Sequence, residues 1–214
     1  MTGLAWVLWL LFAGFAVLDW YAVWRGRRAL EAVAKPLAMV ALTGVALAMG
    51  AGGSGPGRWL LVALVLCLAG DVALLSRTEP RFLAGLGAFL LGHVAYVAAL
   101  RSLGEQSLTA ALPGLAAVLL LVLVVGRPVL AATRRRGEPG LAGAVAAYMV
   151  VIGTMVVTAF GTTRPLVAAG ALVFMASDAV LAFDRFVRPQ RWAPLVVMVT
   201  YHLGQGLIVA GALR

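Results

Sequence analysis

Eight apolar runs, each close to the roughly 20 residues needed to cross the hydrocarbon of a bilayer, divide this 214-residue chain and leave little room for any other architecture. Their approximate limits are 4–24, 36–52, 59–76, 82–101, 110–126, 141–161, 165–184 and 194–213, with Arg, Pro and Gly between them. The second is the shortest. It opens at Lys35-Pro36, where proline suits a first helical turn, and ends in the glycine-rich stretch from Gly50 to Gly57. The runs are uniformly apolar, whereas barrel strands alternate and are about ten residues long, so helices are expected. Hydrophobic residues make up 63% and charged residues 12%, about half the charged share of a soluble domain. No connector is long enough to hold a soluble domain. The expected fold is an all-α membrane protein, residues 1–214 forming one bundle of eight transmembrane helices.

A formal net charge of +9 invites a nucleic-acid reading, but the basic residues lie in short connectors rather than on one amphipathic face. They read as topology determinants, with no nucleic acid as partner. Of the 17 basic residues, 13 follow the first, third, fifth and seventh runs: Arg25, Arg27, Arg28, Lys35, Arg77, Arg81, Arg127, Arg134, Arg135, Arg136, Arg185, Arg188 and Arg191. Only Arg58, Arg101, Arg164 and Arg214 fall on the other side. The positive-inside rule then predicts both termini outside, in a bacterial inner membrane. The run from Leu4 to Trp24 has no basic segment before it and no small-residue cleavage site, and reads as a retained helix. Cys67, the single cysteine, excludes an intrachain disulfide.

Two aspartates break the apolar pattern. Asp71 and Asp178 lie inside the third and seventh runs, where an ionised carboxylate costs at least about 2.5 to 3.5 kcal/mol, so a functional role is the first reading. They are 107 residues apart, half the chain, and are followed 22 and 24 residues later by His93 and His202. This suggests a repeat of four helices plus four, related by an axis along the membrane normal. On the expected topology Asp71 lies about 7 to 8 Å and Asp178 about 9 Å from the cytoplasmic ends of their helices. His93 and His202 lie about 12 to 16 Å deep from that side, with Tyr96, Tyr201 and Gln205 nearby in sequence. Asp19 and Lys35 fall toward the same side. One pocket open to the inner leaflet or cytoplasm, faced by both aspartates, is the expectation.

Plainer readings stand beside that one. Asp71 and Asp178 also suit hydrogen-bonded packing groups, or partners of Lys35 or of a connector arginine. The histidines suit bundle hydrogen bonding better than zinc, which would need an aspartate as well. Asp19, beside Trp20 and Tyr21, suits the interfacial aromatic belt, and Asp184 suits an interfacial charge. Lys35 can snorkel to the surface, and Arg134 to Arg136 suit a cytoplasmic anchor. Gly85, Gly92, Gly204 and Gly211 suit close helix packing.

Gly70-Asp71, Phe82, Gly85, Phe89, His93 and Tyr96, taken with Glu31 and Lys35-Pro36, resemble the YhhN family, whose animal members are lysoplasmalogenases. The likeness continues through Gly170-Ala171, Phe174, Ser177-Asp178, Leu181-Ala182, Phe186, Thr200-Tyr201, Gln205 and Gly211. The first run carries little of it. The resemblance implies an eight-helix intramembrane hydrolase that cleaves the vinyl ether of lysoplasmalogens to a fatty aldehyde and glycerophosphoethanolamine or glycerophosphocholine. It also implies Asp71 and Asp178 as the catalytic pair, with Lys35, His93, Tyr201 and Gln205 lining the site. Tyr96 and His202 join them as substrate-binding candidates by position.

A vinyl ether is electron-rich at the carbon β to oxygen, so its hydrolysis begins with protonation there and passes through an oxocarbenium ion captured by water. One protonated carboxyl and one carboxylate suffice, as in glycosidases. No metal or organic cofactor is required, and no phosphate loop or serine-nucleophile motif is present. The expected partners are a lysophospholipid substrate and membrane lipids, with the substrate phosphate on Lys35. Two other classes fit the same acids: a proton-coupled transporter of small molecules or lipids, which needs openings on both sides, and a zinc-dependent lipid amidase using His93, His202 and an aspartate.

Overall fold

A computed structural model of the chain describes residues 2–76, 78–138 and 140–213. Among the described residues the regular structure is helical throughout. The helices are α1 (Gly3–Trp24), α2 (Arg28–Ala48), α3 (Gly55–Leu74), α4 (Glu79–Arg101), α5 (Leu108–Leu121), α6 (Arg127–Arg135), α7 (Leu141–Gly161), α8 (Pro165–Phe186) and α9 (Ala193–Ala212). A short 3-10 turn, Ala51–Gly53, precedes α3, and a π turn, Val122–Gly126, joins α5 to α6. Among the described residues eight spans are long and apolar enough to cross a membrane, the fifth running from Leu108 through the π turn to Arg135.

Local chemistry explains several of the helix starts. Thr2 caps α1 by accepting from Ala5 N at 3.3 Å, Ser54 caps α3 by accepting from Gly57 N at 3.1 Å, and Ser107 caps α5 by accepting from Ala110 N at 3.2 Å. Pro56 and Pro165 occupy first turns, where no helical N–H is lost.

Two boundaries depart from the sequence reading. Helix α2 begins at Arg28 rather than at Pro36, so Lys35 and Pro36 lie inside it. Residues 28–35 are mostly good helix formers, Glu31 in the first turn favours the helix N-terminus, and Glu31 and Lys35 pair one turn apart. Together these outweigh a proline that removes one backbone bond, the one to the Ala32 carbonyl. The fifth span does not stop at Gly126 either. Pro128 would clash with the carbonyl of Val124 in a regular helix, and the wider π turn immediately before it lets the helix continue. At 28 residues the span is about 42 Å long, more than the roughly 30 Å of the hydrocarbon core, with Arg134 and Arg135 in its last turn.

The chain forms two compact units, Met1–Gly104 with Val209–Arg214, and Glu105–Ile208. In the first, α1 packs on α2, α2 on α3 and α3 on α4. Its core holds Met39, Leu42, Leu60, Leu64, Tyr96 and Leu100. In the second, α5 packs on α7, α6 on α7 and α8, and α7 on α8. Met155, Phe174 and Ile208 are buried there. Outward faces are apolar: Leu10 is 71% exposed, Leu108 85% and Val150 67%, an exterior that suits lipid and not water.

Candidate active site

In the first unit, α3 and α4 approach closely because small residues lie between them. A Cβ on Gly70 would sit 2.6 Å from the Phe89 ring, and one on Gly92 would sit 3.1 Å from Cys67 Sγ. These contacts set an antiparallel register in which Gly85 and Phe89 lie beside Gly70, and Gly92 lies beside Ala63 and Cys67. Asp71, 1% exposed, follows Gly70 at the buried face of α3, about 4 to 5 Å from its end at Leu74. His93 and Tyr96 are wholly buried on α4. The Nδ1 of His93 lies 2.6 Å from the Phe89 carbonyl, which can only accept, so Nδ1 carries a proton and donates it.

Lys35 is neither at a helix mouth nor snorkelling. It is buried on α2, with Nζ 3.1 Å from Glu31 Oε1. Asp19 also departs from the belt reading. Tyr21 and Trp24 are exposed, under Arg27 and Arg25 at 5.7 and 5.5 Å, while Asp19 is turned inward with no exposed surface.

In the second unit, α8 and α9 cross in backbone contact. A Cβ on Gly170 would lie 2.7 Å from Ile208 N, and one on Gly204 would lie 2.9 Å from Phe174 N. Ser177 donates to the Val197 carbonyl at 2.9 Å, and Tyr201 meets Phe174 edge to face at 5.3 Å between ring centroids. Tyr201 and Gln205 are one helical turn apart, and both are buried, as is His202. Asp178 is half-buried, about 12 Å from the end of α8 rather than 9 Å because α8 runs on to Phe186. Tyr148 on α7 donates to its Oδ2 at 2.5 Å. At the end of the same unit Arg136 donates to the Arg185 carbonyl at 2.9 Å and lies over the Phe186 ring, so the basic run has a packing role between α6 and α8. Asp184 accepts from Gln190 N at 2.6 Å and orders the turn into α9.

Each unit thus carries one of the two candidate catalytic aspartates on the third of its spans, with buried hydrogen-bonding residues from the sequence set. The first holds Lys35, Asp71, His93 and Tyr96; the second holds Asp178, Tyr201, His202 and Gln205. Tyr148 was not in that set. A lone tyrosine in the apolar stretch 141–161 was its only signal. Among the described residues no three His, Cys, Asp or Glu side chains form a group able to hold a metal ion.

The family model of YhhN matches residues 30–212. The chain belongs to the YhhN family. The match begins just before Glu31, so α1 and Asp19 lie outside it. The human lysoplasmalogenase TMEM86B is 34% identical over 197 residues, covering 92% of this chain and 77% of the relative. Its pig counterpart, from Sus scrofa, is 35% identical over 180 residues, 83% of this chain and 73% of the relative. A lysoplasmalogenase from Mycobacterium tuberculosis (strain CDC 1551 / Oshkosh) is 32% identical over 158 residues, so that this YhhN chain spans 60% of that relative's length. No solved structure matches the chain. With eight apolar spans and these relatives, this YhhN chain is an integral membrane protein.

Proposed function

We propose that this YhhN protein is an intramembrane lysoplasmalogenase, hydrolysing the vinyl ether of lysoplasmalogens to a fatty aldehyde and glycerophosphoethanolamine or glycerophosphocholine. The observation that carries this reading is the 34% identity to the human lysoplasmalogenase along 92% of the chain, in a protein with an acid in the third span of each unit. Asp71 and Asp178 supply the acid and the base. One, protonated, delivers a proton to the β carbon of the vinyl ether. The other, ionised, stabilises the oxocarbenium ion and accepts a proton from the water that captures it. The hemiacetal so formed collapses to aldehyde and alcohol. Tyr148 acts as a positioning residue, holding Asp178 by its hydroxyl. His93, Tyr96, Tyr201, His202 and Gln205 orient substrate and water, and Lys35 faces the phosphate.

Residues 1–214 act as one transmembrane domain in a bacterial inner membrane, with both termini outside. The experiment is product analysis after incubating purified protein in detergent with vinyl-ether, alkyl-ether and ester lysophospholipids sharing one headgroup. Fatty aldehyde from the vinyl ether alone is expected. Fatty acid from the ester, with the vinyl ether untouched, would replace the substrate class.

A further inference from the structure

The buried carboxylate that the reaction leaves unused is Asp19. Among the described residues neither of its oxygens has a hydrogen-bond partner, although the residue has no exposed surface. Such a group is costly to keep in a bundle unless something completes it.

Its surroundings are defined by the α1–α2 hairpin. A Cβ on Gly44 would lie 3.2 Å from Leu8 Cδ2, which puts Leu8 and Gly44 level in an antiparallel pair. Counting equally from Leu8 to Asp19 and back from Gly44 places Asp19 level with Val33, between Glu31 and Lys35. The charged groups whose fields reach Asp19 are accordingly Lys35 and Glu31. Lys35 spends one of its donors on Glu31 at 3.1 Å, so the cation and one carboxylate already balance. Asp19 is then a surplus acid with two open acceptors, and Lys35 keeps donors for an anion. The Glu31 side chain, 27% exposed against 6% for Lys35, marks the side on which the trio meets its surroundings.

A group that satisfies both needs at once carries an anion and, a short covalent distance away, a cation with N–H donors. A phosphoethanolamine headgroup is such a group. Its phosphodiester suits Lys35, and its primary ammonium can donate to both oxygens of Asp19. The trimethylammonium of phosphocholine has no N–H to give and would leave the same oxygens unsatisfied.

We propose that Asp19, with Lys35, forms a headgroup site that selects ethanolamine over choline lysophospholipids. This rests on the lipid-hydrolase reading above and names its preferred substrate. Because a hydrogen bond to a buried charge is at stake, wild type is expected to favour ethanolamine by about 10- to 100-fold. In Asp19→Asn the ratio should fall close to one, and Asp19→Glu, which keeps the charge, should retain part of it.

The test measures that ratio in two ways: kcat/KM on the ethanolamine and choline lysoplasmalogens, and binding of the uncleavable saturated alkyl-ether lysophospholipids, followed as thermal stabilisation in detergent. Equal binding of the two headgroups by wild type would overturn the assignment, whether or not the variants fold. An Asn variant weakened equally toward both headgroups would overturn it as well, because it would show a structural role only. Headgroup-selective binding lost in Asp19→Asn, without cleavage of any vinyl ether, would uphold the site and reject the reaction. Cleavage with no preference would do the reverse.

Discussion

Tyr148 and Asp178 are joined by the shortest side-chain contact described for the candidate site, 2.5 Å from hydroxyl to carboxylate across α7 and α8. If that bond positions Asp178 for proton transfer, Tyr148→Phe is expected to lower kcat about 10- to 100-fold while KM moves little, the cost of one charge-assisted hydrogen bond. Steady-state kinetics on lysoplasmalogen checks this, and an equal loss of stability and activity with a raised KM would point to packing instead. At this scale the sequence showed which residues were costly but not how they were partnered. Asp71 and Asp178 stood out because charge in hydrocarbon is expensive wherever it is found. Tyr148 did not, because a tyrosine in a span is commonplace until a carboxylate is seen beside it. Lys35-Pro36 reads as a helix start, but strong helix formers before it and the Glu31–Lys35 pair carry α2 through the proline. Asp19, beside Trp20 and Tyr21 in sequence, reads as plainly as a belt residue as a pocket one, and only its burial separates the two.

At the level of elements, glycines decide how near the helices come. Gly170→Ala and Gly204→Ala would each push a methyl to 2.7 to 2.9 Å from backbone atoms of the facing helix, which cannot yield as a side-chain end can. Each is expected to destabilise by about 1 to 3 kcal/mol. Gly87→Ala, with nothing within 4 Å, is expected to be neutral or to stabilise by up to about 1 kcal/mol. Thermal unfolding in detergent separates the two cases, and an unaffected Gly170→Ala would contradict the close crossing. The helices themselves were largely legible, since lipid permits few alternatives and Ser, Thr, Pro and Gly mark the ends. What was not legible was the length of α2 and of the α5–α6 span. In both, a proline that normally marks an end is absorbed, once by strong flanking helix formers and once by a π turn.

Taken whole, the molecule carries its basic residues unevenly, and that asymmetry predicts orientation. With Cys67 buried, a cysteine introduced at Arg135 should be labelled only from the cytoplasmic side, and one at Leu213 only from outside. Labelling of both from one side would reverse or break the proposed topology. The division into Met1–Gly104 with Val209–Arg214, and Glu105–Ile208, assigns Asp71 to one unit and Asp178 to the other, and function is proposed to need both. The most direct measurement is aldehyde release from lysoplasmalogen by wild type, Asp71→Asn and Asp178→Asn, each shown to be folded by detergent chromatography. Asparagine keeps the size and removes the charge and the transferable proton. Turnover is therefore expected to fall about 100- to 10,000-fold in each variant. In D2O the wild-type aldehyde should carry one deuterium at carbon 2, the site of protonation. Wild-type turnover in either Asn variant would contradict catalysis by the aspartate pair.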